Sequence, residues 1–428
     1  GQVLRSVQRA LAGNRAQPRN FGMQLFDANR MRADDSRLAG MYGLYENRME
    51  RILDYARDAG AEVLLCTMAV NLTDCAPFGS EHRSGMDPAA RRTWEQEYDQ
   101  GCRAQQQKRH EDALRHLTLA AELDDQYAEL AYRRAQMLTA LGRSAEALAL
   151  FSRARDLDTQ RFRADSRING ILRELAARRA VTFVDAESSF AAAPDPAALF
   201  LDHVHFTFEG AYRLAGLWFE ALAERYPGRV MPSVDECKDR MMFTAWGEGH
   251  QAMVMHSRRG MKPFAEQLDN ERHREALAER IQQSEARIES TPLDRIRALY
   301  EQNRRLHPND LLYPVQWATV LMVVGQTEEA LTILAGEAER LPHHFEWRIM
   351  PAYLLAKSGE PERAAGLLLG EGPPYGHFLT DHVEGVMRSL EADGLHEQAR
   401  RMGEEILQRQ KRFSGRDRLA ARVARTKR

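Results

Sequence analysis

The stretches GQTEEA (Gly325–Ala330) and GEPERA (Gly359–Ala364) carry one pattern, a glycine followed by an alanine five positions on, and they lie 34 residues apart. GLHEQA (Gly394–Ala399) repeats it after a further 35 residues, and GRSAEA (Gly142–Ala147) shows it far upstream. Two alanine pairs, Ala113 with Ala147 and Ala120 with Ala154, keep the 34-residue interval. A helical hairpin explains each member of the pattern. Glycine ends the first helix in a left-handed turn, where a Cβ is penalised. Alanine near the start of the second helix lets the two helices approach. Larger apolar residues, Leu117 in one hairpin and Phe151 in the next, fill the space between helices. Pro308 and Pro342 fall where one hairpin gives way to the next, as helix breakers should. The pattern predicts two blocks of hairpins, over residues 94–160 and 299–408.

A helix-turn-helix unit of 34 residues has the period of the tetratricopeptide repeat, and both blocks resemble that family. The resemblance implies a partner protein or peptide held in the groove of the repeats.

Material outside the blocks reads differently. MYGLYENRMERILDYARDAG (Met41–Gly60) has the spacing of an amphipathic helix, and AEVLLCTMAV (Ala61–Val70) that of a buried strand. FRADSRINGILRELAARRA (Phe162–Ala180) is again a helix and VTFVDAE (Val181–Glu187) again a strand. In GAYRLAGLWFEALAERYPG (Gly210–Gly228), Tyr212, Ala215, Trp218, Phe219 and Leu222 recur at three and four, with Thr207 as N-cap. Helix–strand followed by helix–strand–loop–helix is α/β organisation, here interrupted by helical hairpins. Two parallel strands alone do not make a stable sheet. Together with a first residue that is Gly, not Met, this predicts an α/β domain cut on its N-terminal side.

The loop before the last of these helices reads FLDHVHFTFEGAYRLA (Phe200–Ala215). Its D-x-x-H, Asp202 to His205, comes after a strand ending in Asp185 and resembles the final block of the SGNH/GDSL hydrolases. VLLCTMAVNLTDCAPFGSEH (Val63–His82) and FRADSRINGILREL (Phe162–Leu175) resemble a bacterial subgroup in which tetratricopeptide repeats interrupt and follow the hydrolase domain. The resemblance implies a flavodoxin-like three-layer α/β domain, an acyl ester as substrate, Asp202 as orienting carboxylate and His205 as general base. That pair works because the carboxylate holds the imidazole Nδ1–H and leaves Nε2 to take a proton. The G-D-S nucleophile block and the G-x-N oxyanion block are not visible. DDS (Asp34–Ser36) and ADS (Ala164–Ser166) lack the glycine and lie beside helices. A base without nucleophile or oxyanion donors has nothing to activate. The expectation is therefore a chain inactive by itself as an esterase or acyl transferase and working through its repeats. The alternative is a non-enzymatic repeat scaffold whose α/β part only supports the array.

Lesser candidates have plainer explanations. Asn71 follows a strand, as an oxyanion-donor asparagine does, but no glycine precedes it at the required spacing. Asp185 ends a strand on the side where α/β sites form, yet such an Asp usually caps a turn. His203 and His205 make an H-x-H, which binds zinc only with a third ligand, so the reading is no metal and no cofactor. Asp-His-Val recurs at Asp381–Val383, so the tripeptide also arises by chance, and PHH (Pro342–His344) reads as an inter-repeat turn.

The 428 residues suffice for two or three domains. A formal net charge of −2 gives no global field for nucleic acid. No run of about 20 apolar residues spans a membrane, and the basic start GQVLRSVQRALAGNRAQPRN lacks the apolar core of a secretion signal. The compartment stays open. Cys66, Cys75, Cys102 and Cys237 form no CxxC pair, and Cys66 reads as a buried thiol. The tail Arg409–Arg428 carries nine Lys and Arg against one Asp and reads as a frayed, solvated helix, with an anionic partner as the alternative. The domain organisation expected is a partial SGNH-like domain at 1–92, a repeat insertion at 93–160 and the rest of the SGNH-like domain at 161–226. A charged helical connector at 227–298 and a second repeat array with basic tail at 299–428 follow.

Overall fold

A computed structural model of the chain describes residues 29–310, 312–340, 346–370, 376–392, 394–411, 413 and 415–426. Pro342, the PHH turn, the basic start and the side chain of Asp381 lie outside the described residues. The chain divides into two compact units, Gly1–Val234 with Gly249–Gln283 and Asp235–Glu248 with Ser284–Arg428.

The first unit opens with α1 (Arg37–Asp58) and β1 (Leu64–Cys66), followed by α2 (Pro88–Gln106), α3 (His110–Leu123), α4 (Ala128–Ala140) and α5 (Ser144–Leu157). Then come α6 (Ser166–Arg179), β2 (Thr182–Val184), the short α7 (Ala186–Ala191) and α8 (Phe208–Leu222). β1 and β2 pair in parallel, Leu64 opposite Thr182 and Cys66 opposite Val184. Successive side chains point to opposite faces. Leu65 packs with Leu53 of α1 and Ile171, Leu172 and Leu175 of α6. Cys66 goes the other way, to Ala69, Phe190 of α7, and Leu214 and Leu217 of α8.

The α/β expectation needs correction. Each strand has three residues, and among the described residues these two are the whole sheet, so a flavodoxin-like three-layer SGNH sheet is not formed there. The apolar run Ala61–Val70 leaves the sheet early because side chains take over its backbone. Asn169 of α6, fully buried, accepts from the Met68 N–H (2.9 Å) and donates to the Met68 carbonyl (3.1 Å), as a neighbouring strand would. The face of α8 also differs. Leu214 and Leu217 turn to the core, while Ala215 is exposed and Trp218 is 42% exposed.

Downstream lie α9 (Val234–Arg240), α10 (Ala245–Arg259), α11 (Asn270–Ser290) and α12 (Leu293–Leu306), and the divisions between units fall after the first residue of α9 and within α10 and α11. The stretch 227–298 is more than a solvated connector. Ala252, Met255 and Leu277 are buried, Gln267 Nε2 donates to the Ala76 carbonyl (2.7 Å), and His273 Nε2 lies 3.0 Å from the Asp74 carbonyl.

The second unit continues with α13 (Leu312–Val323), α14 (Thr327–Arg340), α15 (Glu346–Lys357), α16 (Pro361–Leu369), α17 (Gly376–Ala392), α18 (His396–Arg409) and α19 (Arg416–Arg425). Five hairpins, two in the first unit and three in the second, close by one geometry. Their turn residues, Lys108, Gly142, Gly325, Gly359 and Gly394, have φ of +57°, +76°, +81°, +92° and +78°. The next residue's N–H returns to the first helix, from Arg109 to Ala104, Arg143 to Leu138, Gln326 to Leu321, Glu360 to Leu355 and Leu395 to Leu390, all at 2.8–2.9 Å. Ala113, Ala147, Ala330, Ala364 and Ala399, each four residues further on, are 0–2% exposed. Leu117 and Phe151 are buried as expected, Leu117 so tightly that a Cβ on Gly101 would sit 2.7 Å from it. The basic tail is not frayed: Leu419 and Val423 of α19 are buried against Met387, Met402 and Ile406, and Arg418 pairs with Glu384 at 2.9 Å.

Candidate functional site

Residues 200–206 form a closed loop that presents the D-x-x-H. Phe200 and Phe206 make an antiparallel bridge, and Leu201 N donates to the His205 carbonyl at 2.7 Å. The neck rests on Phe190, whose ring lies 5.7 Å from Phe200 and 5.0 Å from Phe206. Thr207 caps α8, its Oγ1 accepting from Gly210 N (3.1 Å) and donating to the Ala198 carbonyl (3.0 Å). Glycine is needed at 210 for space: a Cβ there would stand 2.1 Å from the Leu199 carbonyl oxygen.

A second segment clamps the loop from the far side. Asn71 N donates to the His203 carbonyl (3.0 Å) and Asn71 Nδ2 to the Asp202 carbonyl (3.1 Å). Arg163 in turn donates to the carbonyls of Asn71 (2.9 Å) and Cys75 (2.8 Å), and pairs with the buried Asp158 at 3.2 Å. The amide nitrogen of Asn71 is therefore spent on the loop. It is a positioning group, not a donor aimed at solvent.

Asp202 is 1% exposed. Its Oδ1 accepts the N–H groups of Val204 (2.9 Å) and His205 (2.8 Å), and its Oδ2 lies 2.7 Å from His205 Nδ1. Burial opposes ionisation, but His203 beside it and the two backbone N–H groups outweigh burial and hold the carboxyl well below the usual carboxylate range. An ionised Asp202 fixes His205 with its proton on Nδ1 and its lone pair on Nε2. The His205 side chain is 56% exposed, and Nε2 makes no hydrogen bond among the described residues. The geometry suits a base that takes a proton from a group brought to Nε2.

The neighbours of the pair are mostly structural. His203 is buried, edge-on to Phe78, Phe162 and Phe264 with centroids at 5.3, 5.9 and 5.6 Å, and its Nδ1 stands 3.3 Å from Asp202. Ligand atoms of Asp202, His203 and His205 all lie within 4.8 Å of one another, a grouping with three of the four ligands of a zinc site. Both Asp202 oxygens are already engaged, so a metal there would displace the His205 bond. Asp185 caps α7 through Ser188 N (3.2 Å), accepts from Thr67 Oγ1 (2.9 Å) and pairs with Arg173 (2.9 Å), which fills its capacity.

A second histidine–carboxylate pair escaped the sequence reading. His82 Nδ1 lies 2.8 Å from Asp124 Oδ2, and Asp124 is 2% exposed. The histidine is edge-on to Trp94 at 4.5 Å, beside Tyr127 at 4.9 Å, at a surface cavity of ≈ 650 Å³ also lined by Arg83 and Arg91. The two residues are 42 apart and belong to no motif, so only folding brings them together.

No protein-family model matches the chain, and no curated protein matches it. Among solved structures, the chain is similar to one titled as the crystal structure of the P58(IPK) TPR domain, at 12% identity. That match covers 78% of this chain and 98% of the other, with a TM-score of 0.14. The repeat assignment rests on the chain's own five hairpins, which form tetratricopeptide-like helical repeats, two in the first unit and three in the second. No helix among the described residues is long and apolar enough to cross a membrane.

Proposed function

We propose that this chain is a repeat protein that binds a polypeptide partner along its hairpins, and that its first unit carries Asp202 and His205 as the base half of an SGNH-like ester hydrolase. The observation that supports partner binding is the shared register of the five hairpins, each with a left-handed turn and a buried alanine in the same place. Within each unit, hairpins stacked in register align their first helices into an extended surface, the kind of surface that repeat proteins use for recognition. A direct test selects peptides from a displayed random library on the full chain. Each selected peptide is then photo-crosslinked to benzoylphenylalanine placed at Val315 on α13 or at Glu328 on α14, both exposed. Crosslinking several-fold stronger at position 315 is the expected result. Equal labelling at the two positions, or no selected peptide at all, refutes the reading.

The hydrolase part is supported by the 2.7 Å Asp202–His205 bond with an exposed Nε2. It lacks a nucleophile bonded to that nitrogen among the described residues. The chain by itself is therefore expected to hydrolyse p-nitrophenyl acetate no faster than its His205→Ala variant. Turnover that disappears with His205→Ala would show that a nucleophile is already in place and that the pair is more than half a site.

A further inference from the structure

Three arginines are buried among the described residues: Arg155, Arg163 and Arg259. Arg155 meets Glu187 at 2.6 Å and Asp156 at 2.9 Å, and Arg163 meets Asp158 at 3.2 Å. Arg259, 3% exposed, has no carboxylate partner among the described residues. Its one side-chain hydrogen bond runs from Nη1 to Asn270 Oδ1 at 3.5 Å, and its Nε is buried with no partner at all. The carboxylates whose field reaches it are Asp74 and Asp202. Both are engaged elsewhere, Asp74 with Arg272 (2.5 Å) and His273 (3.1 Å), Asp202 with His205. A guanidinium presents five N–H donors, and the Nε–H of Arg259 is buried without a partner, which costs the desolvation of that donor. The ring of Phe264, 5.6 Å from the guanidinium carbon, offsets only part of that cost.

We propose that Arg259 is the anchor of an anion site, where it holds a carboxylate or phosphate group of a ligand that reaches the Asp202–His205 loop. The placement follows from shared neighbours. Phe264 carries Arg259 on its ring and meets His203 at 5.6 Å, and His203 is next but one to His205 in the loop. The free N–H groups of a guanidinium match two oxygens of such an anion in a fork. The site does not depend on what His205 does chemically, so it stands or falls separately from the hydrolase reading.

The test titrates the full chain with sodium phosphate and with sodium acetate against sodium chloride at equal ionic strength, reading thermal unfolding. Wild type and His205→Ala are both expected to gain about 2–5 °C in Tm once the oxyanion exceeds its Kd tenfold. Arg259→Met is expected to lose that gain and, without the oxyanion, to melt no lower than wild type, since it removes an uncompensated buried charge. The larger response, phosphate or acetate, names the ligand's group. A wild-type response no greater than chloride's, a response that survives in Arg259→Met, or one that vanishes in His205→Ala overturns the proposal. Should Arg259→Met fail to fold, hydrogen exchange of the wild type decides. Phosphate-dependent protection of residues 258–270 sustains the site, and its absence there refutes it.

Discussion

Asp202 and Asp124 each hold a histidine Nδ1, at 2.7 and 2.8 Å, so bond length does not distinguish the two pairs. Exposure does. The His82 side chain is 15% exposed and wedged among aromatic rings, whereas that of His205 is 56% exposed with Nε2 unbonded among the described residues. The charge state of Asp202 is open to measurement. Its folded carboxyl titrates below the unfolded value of about 3.9. The native state therefore gains stability from the ionised group above that pH and loses it as acid protonates the group. Asp202→Asn is expected to lower the unfolding free energy by about 2 kcal/mol at pH 7, because it weakens a charge-assisted bond in a buried loop. Urea titrations at pH 7 and pH 3 check this. The gap between variant and wild type should narrow at pH 3, and an equal gap at both values would mean that the carboxylate charge contributes nothing.

At the scale of elements, the hairpins and the places of both strands were legible, and the extent of the sheet was not. A left-handed turn and a close helix crossing each demand a particular small residue, so Gly325, Ala330, Gly359 and Ala364 announce themselves. The sheet failed because Asn169, a helix residue over a hundred positions away, replaces the strand partner of Met68, and no local pattern encodes that exchange. The candidate loop lay between these extremes. D-x-x-H and the Thr207 cap are contiguous and readable, but the clamp from Asn71 and Arg163 is long-range. One hairpin departs from the pattern in a testable way. Lys108 occupies the left-handed position that glycine holds in the other four, with φ +57°. Lys108→Gly should therefore stabilise the fold by about 0.5–1 kcal/mol, since a Cβ is penalised there, and Gly325→Ala should destabilise it by about 1 kcal/mol. Thermal unfolding of both variants gives the answer. Two changes of the same sign would show that turn conformation is not what selects glycine.

At the scale of the whole chain, each hairpin of a repeat array buries one face on the next element. In the second unit the face left by α17 and α18 is covered by α19. Leu419 and Val423 cover Met387, Met402 and Ile406, and Gly403 has no side chain where Val423 sits, a Cβ there falling 2.5 Å from it. Composition hid this, because nine basic residues dominate the tail while Leu419 and Val423, with Phe413 partly buried beside them, do the docking. Removing α19 exposes an apolar face and forfeits the burial of two large side chains, about 3–6 kcal/mol in all. Because stacked hairpins couple mainly to their neighbours, the loss should be felt first at α17 and α18. Hydrogen exchange on a chain ending at Gln410 should show fast exchange in those two helices, with α4 and α5 unchanged. Exchange that rises equally everywhere would mean the chain unfolds as one cooperative block. No change at all would mean that α19 is an ornament of the surface, and the basic tail would return to being a free segment available to an anionic partner.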